Sequence, residues 1–195
     1  MLLMGGAELE GTHRIAVDRK DAVLKAVEHL AGLGHRRIAF VGDTTSEKFT
    51  GYTVGLLQHQ LEYNAESIVH ILGREYYYEE TERQIVRALA RDGKSGPTAV
   101  IVDSQGLLFP FIQTIRRHKI RVPEDYSLVV YDNVPEVEHL TDVPLTTVGP
   151  NISTMAEQAI RSLIGDNDAS GRWHDITLPT ELIVRQSTLP AEVYQ

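Results

Sequence analysis

Short runs of β-branched and apolar residues alternate along this chain with stretches whose apolar residues recur at helical spacing, and that alternation most narrows the folds open to it. A strand-helix-strand order builds a parallel sheet with helices as crossovers. Residues 15–17 read as a strand. Asp18 follows as a helix N-cap, with Ala22, Val23, Ala26, Val27 and Leu30 on one helical face and Gly34 where a left-handed C-terminal residue is wanted. Residues 37–42 are nearly all apolar, as a strand covered on both faces has to be. A polar loop, 43–47, precedes a helix carrying Tyr52, Leu56, Leu57 and Leu61. The unit recurs as a strand at 68–72 with a helix over Ile85, Val86 and Leu89 stopped at Gly93, and as a strand at 98–102 with a helix over 107–119. A strand at 128–131 then runs into loop. Pro110 lies in the third of these helices, so that helix either begins near Leu108 or is kinked. Residues 151–164 carry Ile152, Met155, Ala156, Ala159, Ile160 and Leu163 on a stripe ahead of Gly165, and Pro179 separates two short strands at 175–178 and 181–184.

Composition removes several classes of function. The chain has 195 residues, 42% hydrophobic and 24% charged, which is enough apolar material for a packed core. Its formal net charge of −8 repels phosphate backbones, so any contact with DNA is expected from another segment. The pairs Arg36-Arg37 and Arg116-Arg117 read as solvated surface. With no cysteine there is neither a disulfide scaffold nor a cysteinyl metal site. No apolar run reaches the ~18 residues of a membrane span, and the first residues lack the basic and long apolar regions of a signal peptide. The expectation is a cytoplasmic protein. Asp103-Ser104-Gln105-Gly106 lacks the leading glycine of a nucleophile elbow, the histidines show no i, i+4 pair, and neither a P-loop nor a dinucleotide fingerprint occurs. No catalysis, no metal and no cofactor are therefore expected.

Open α/β sheets bind ligands outside the carboxyl ends of their strands, which directs attention to Gly42-Asp43, Asp103-Ser104 and Asp132-Asn133. Four stretches, 33–42, 122–133, 144–148 and 178–188, together resemble the effector domain of LacI/GalR transcription regulators, in that family's order and near its spacing. The resemblance implies an α/β fold with an open parallel sheet and helices on both faces, periplasmic-binding-protein-like, with one complete subdomain and part of a second. It divides the chain into 1–34 (remainder of an N-terminal subdomain), 35–145 (C-terminal subdomain), 146–166 (crossover segment of the N-terminal subdomain) and 167–195 (return to the C-terminal subdomain). The helix-turn-helix headpiece, the hinge helix and the first part of the N-terminal subdomain have no counterpart here. The function implied is effector sensing and homodimerisation, with a small sugar or polyol bound between the subdomains and DNA reached only through the missing headpiece. A dimerisation platform that answers to a partner protein, and a periplasmic-type sugar receptor, are the alternatives. The stripe of Ile152, Met155 and Ile160 is expected to be exposed, with self-association or partial disorder near the N-terminus as the compensation.

The same resemblance nominates six ligand-binding residues. Asp132 matches the family's ligand carboxylate, and an ionised aspartate accepts from two vicinal hydroxyls; as an Asp-Asn pair it also reads as a turn. Lys48, three residues before Gly51-Tyr52, stands where the family carries a clamping arginine; it keeps the charge without the planar fork, and otherwise reads as a solvated lysine. Ser104 and Gln105 stand where many members have Asn-Asp, and both can hydrogen-bond a hydroxyl. Tyr76, in Tyr76-Tyr77-Tyr78, matches a stacking aromatic, and Asp18 lies near the cleft in relatives while also serving as a helix cap.

Overall fold

Two sheets, not one, organise the chain. The computed structural model describes residues 2–4, 13–71, 78–90, 95–133, 141–164 and 175–194. In order these form β1 (Leu2–Met4), β2 (His13–Val17), α1 (Arg19–Gly32), β3 (Ile38–Gly42), α2 (Glu47–Gln58), β4 (Ile68–His70), α3 (Tyr78–Ala88) and β5 (Ala99–Val102), then α4 (Gln105–Arg117), β6 (Ser127–Asn133), β7 (Thr146–Asn151), α5 (Ile152–Ile164), β8 (Asp175–Leu178) and β9 (Thr180–Ile183). The larger sheet runs β4-β3-β5-β6-β7-β9 and the smaller β1-β2-β8. Every described pairing is parallel except that of β9 with β7.

The continuous apolar runs are explained by burial on both faces. On β3, β5 and β6 the residues Ala39, Val41, Val100, Val102, Leu128 and Val130 face a core shared with α3 and α4, while the intervening Ile38, Phe40, Ala99, Ile101, Val129 and Tyr131 face one shared with α1 and α2. Asp18 caps α1 by accepting from Asp21 N at 2.8 Å. The helix ends in a Schellman motif, in which His35 N donates to Leu30 O and Gly34, at φ 88°, donates to Ala31 O. The helices α1 and α2 cross so closely that a Cβ on Gly51 would stand 2.3 Å from the Lys20 carbonyl oxygen. Among the described residues no helix is long and apolar enough to cross a membrane.

Several expectations are corrected. The helix α1 buries its apolar face against α2 and the larger sheet, β7 lies between β6 and β9 in that sheet, and β8 pairs with β2 in the smaller one, while the division at 166/167 lies outside the described residues. The chain therefore leaves the smaller sheet at Asp18, and Pro179 separates strands belonging to different sheets. Leu57 does not share the core face of α2, being 79% exposed beside a buried Leu56, because neighbours on a helix point about 100° apart. Leu61 reaches that core from beyond the helix end, after Gln60 at φ 52°. The helix over Pro110 starts at Gln105 and contains the proline, which leaves one backbone acceptor in its first turns without an N–H. On α5, Ile152 and Ile160 are 40% and 55% exposed, whereas Met155 packs against Ile15, Ala159 and Leu178. Leu72 and Gly93 lie outside the described residues.

A buried polar knot fixes the amino ends of the larger sheet. The His35 ring lies 2.8 Å from Thr98 Oγ1 through Nδ1, and 3.1 Å from Ser127 Oγ and 3.0 Å from Leu189 O through Nε2. Burial holds this imidazole neutral, with its pKa pulled down to about 4. Ser187 continues the clasp by donating to Leu128 O and accepting from Thr146 N. The C-terminal segment is thereby tied to β6 and β7 at the edge opposite the strand ends that matter below.

Candidate functional site

The carboxyl edge of the larger sheet is where the polar residues gather. The central strands end in aspartate after an apolar run: Gly42-Asp43 after β3, Val102-Asp103 after β5 and Tyr131-Asp132 within β6. Among the described residues the chain crosses between the two sheets at this edge three times, through Asp18, through β7 into α5, and through Pro179. A crevice between two sheets joined by such crossings is the expected ligand position of an open α/β fold.

Asp132 sits at a register shift of β6 against β7, with φ 93°, a conformation rarely taken by a residue with a side chain. A Cβ on the facing Gly149, itself at φ 151°, would stand 3.3 Å from its Cα, a tight contact at a backbone angle that favours glycine. Its Oδ2 accepts, at 3.4 Å, from the Gln105 N–H at the first turn of α4. Desolvation is the main influence on this carboxyl and raises its pKa; the Gln105 N–H and the charges of Lys48 and Arg19 oppose that, and Asp103 adds to it.

Lys48 comes from the first turn of α2 and is not a solvated lysine. Its side chain is 15% exposed, and Nζ donates to Asp103 O at 2.5 Å, lies 3.3 Å from Asp103 Oδ2 and stands 4.7 Å from the centroid of the Tyr131 ring. Asp103 itself is 2% exposed, and its Oδ2 also accepts from Asp43 N at 3.0 Å. A Cβ on Gly42 would fall 2.1 Å from Asp103 Cγ, so this carboxylate is packed into place. Tyr131 has its phenol pushed up to about 12, first by burial and then by the Asp132 charge, with Arg19 acting the other way.

Of the six nominated residues, Asp132, Lys48 and Gln105 converge on this edge, and Ser104 adjoins them as the N-cap residue of α4, its hydroxyl making no cap bond. Asp18 is exposed and occupied in capping α1. Tyr76 lies outside the described residues. The sequence points to Asp103 as a strand-end residue without nominating it as a ligand contact, and does not point to Arg19 or Tyr131. The signal for Asp103 was present, since an acid directly after four buried apolar residues has to find a partner. Concavities of about 530, 520 and 180 Å³ lie away from this edge: Val86, Arg117 and His118 line the first, Arg37, Glu62 and Gly96, at the amino ends of the strands, the second, and Ile115, Ile120 and Val143 the third. Among the described residues no group of three or more histidine or acidic side chains is arranged to hold a metal ion.

Comparison with known proteins agrees with this fold. Residues 27–188 match the family model of the periplasmic binding protein-like domain. The chain is 28% identical over 181 residues to the HTH-type transcriptional repressor MelR of Bacillus subtilis, covering 89% of this chain and 52% of MelR. It is 32% identical over 183 residues to the HTH-type transcriptional regulator MalR of Streptomyces coelicolor, covering 91% of this chain and 52% of MalR. The chain thus spans about half the length of these curated relatives. Among solved structures, a complex of the transcriptional regulator CelR with cellobiose superposes with a TM-score of 0.76 at 24% identity, over 96% of this chain and 58% of CelR.

Proposed function

Because the chain belongs to the periplasmic binding protein-like domain family, as the effector-binding domain of LacI-type transcription regulators, we propose that it senses a small sugar-like effector in the crevice between its two sheets and so controls DNA binding by a headpiece outside this chain. The observation that carries this reading is the convergence of Asp132, Lys48 and the first N–H of α4 at the carboxyl edge of the parallel sheet. A hydroxyl-rich ligand needs fixed acceptors and donors, and an ionised Asp132 offers acceptors for neighbouring hydroxyls. CelR, with this fold, binds cellobiose.

The module acts as a cytoplasmic homodimer. Phe109 on α4 is 57% exposed, an aromatic surface of the kind that subunit interfaces cover. Effector contacts to both sheets favour one mutual arrangement, and in a dimer that arrangement sets how two headpieces are spaced.

Thermal-shift screening against sugars, followed by calorimetry on the best binder, tests the reading. Asp132→Ala is expected to weaken binding by about 1.5–3 kcal/mol, roughly 10- to 150-fold, as removal of hydrogen bonds to a charged group does. Unchanged affinity would remove Asp132 from the site, and silence across the panel would remove the sugar.

A further inference from the structure

The Lys48 ammonium has three N–H groups, and this structure already directs it at protein atoms: the Asp103 carbonyl and carboxylate oxygens and the Tyr131 ring face. An arginine here could hold Asp103 and still present a second edge of its fork to a ligand; a lysine has no second edge. Its counter-ion is also fixed. Asp103 is buried, accepts from Asp43 N and is packed on Gly42, so it does not rotate aside when a ligand arrives. An anion brought within hydrogen-bond reach of Lys48 Nζ would therefore find that charge balanced, with Asp103 beside it and Asp132 on the same edge. A hydroxyl meets no such repulsion, since it donates to a carboxylate and accepts from an ammonium equally well.

We propose that Asp103 sets the charge selectivity of the crevice: by holding Lys48 it restricts the effector to a sugar or polyol that is uncharged where it meets this edge, and it excludes sugar phosphates and sugar acids. This rests on the crevice being the effector site. Asp103 is a specificity-determining residue in that role, acting through Lys48.

The test uses anions as probes of a freed ammonium. Calorimetric titrations of the protein and of Asp103→Asn with inorganic phosphate and with ribose 5-phosphate are compared, with Asp103→Ser as a second variant should the asparagine disturb folding. The wild-type protein is expected to give no saturable heat at millimolar anion. The Asp103 variants are expected to bind at least roughly tenfold more tightly, and Lys48→Met added to either should abolish the gain. Wild-type protein that binds either anion as well as the variants do, folded variants that gain nothing, or a gain that survives Lys48→Met would each overturn the assignment. Because the readout is Lys48 itself, it stands apart from the neutral-sugar screen, whose failure would instead remove the effector reading.

Discussion

The larger sheet is covered on one face by α1 and α2 and on the other by α3 and α4, with Phe40, Ile101, Leu108, Phe111 and Leu128 buried between the layers; among the described residues the smaller sheet is backed by α5, over a core that includes Ile15, Ala159 and Leu178. Both deliver strand ends to the same edge, yet among the described residues one is covered by helices on both faces and the other on a single face. Burial of a full aliphatic or aromatic side chain contributes about 1.5–3 kcal/mol, so a sheet covered on both faces opens at higher free energy than one covered on one. In a two-lobed sensor the better-packed lobe can keep its binding groups fixed while the other moves against it. Phe40→Ala is the most severe way to break this comparison. The ring packs at 5.1 Å from Tyr52 and 5.2 Å from Phe49, and its loss should cost about 3–5 kcal/mol in a global denaturant transition. Ile15→Ala should instead raise hydrogen exchange in β1, β2 and β8 while the main transition shifts less. Equal shifts in the main transition would show that the two sheets unfold as one unit.

Proton binding offers a second way to separate the sheets. Folded His35 stays neutral down to about pH 4, whereas an unfolded histidine takes its proton near 6.5. Between those values the unfolded state binds more protons, so stability is full above about pH 6.5 and falls as the pH drops toward 4, by about 3 kcal/mol. His29, whose pKa burial also lowers, adds to the fall in the same direction. Among the described residues the imidazole of His35 bonds Thr98 and Ser127 of the larger sheet and Leu189 of the tail, which places this acid-sensitive clasp on that sheet. Urea midpoints measured between pH 7 and 4 should decline for the wild-type protein and flatten for His35→Asn; equal slopes would place the sensitivity elsewhere.

Elements were more legible in the sequence than their partners. The continuous apolar strand runs, the Asp18 cap and the Gly34 stop are local, and local rules found them. Which sheet a strand joins is not local: β7 and β8 look alike as short β-branched runs, but one pairs with β6 and β9 and the other with β2. The same limit hid the site's electrostatics. Asp132 could be picked from its place after a strand, but not its positive φ at a bulge facing Gly149. Lys48 could be picked only through the family resemblance, and its partner Asp103 lies 55 residues away and on a different element.

Asp18 sits at the junction of the two sheets, ending β2 of the smaller and capping the helix that packs on the larger. A cap and a ligand contact make different demands on one carboxylate. The cap uses Oδ1 to accept from Asp21 N at 2.8 Å, and the second oxygen remains available to a ligand hydroxyl. Asp18→Ala should lower global stability by about 1 kcal/mol, the usual cost of losing a helix N-cap, while Asp18→Asn should restore most of it. If effector affinity follows the same order, falling for alanine and recovering for asparagine, it tracks the position of α1, which brings Arg19 up to Tyr131 and Asp132. If asparagine restores stability but not affinity, the negative charge is itself used by the ligand, and the smaller sheet contributes a binding group as well as a moving wall.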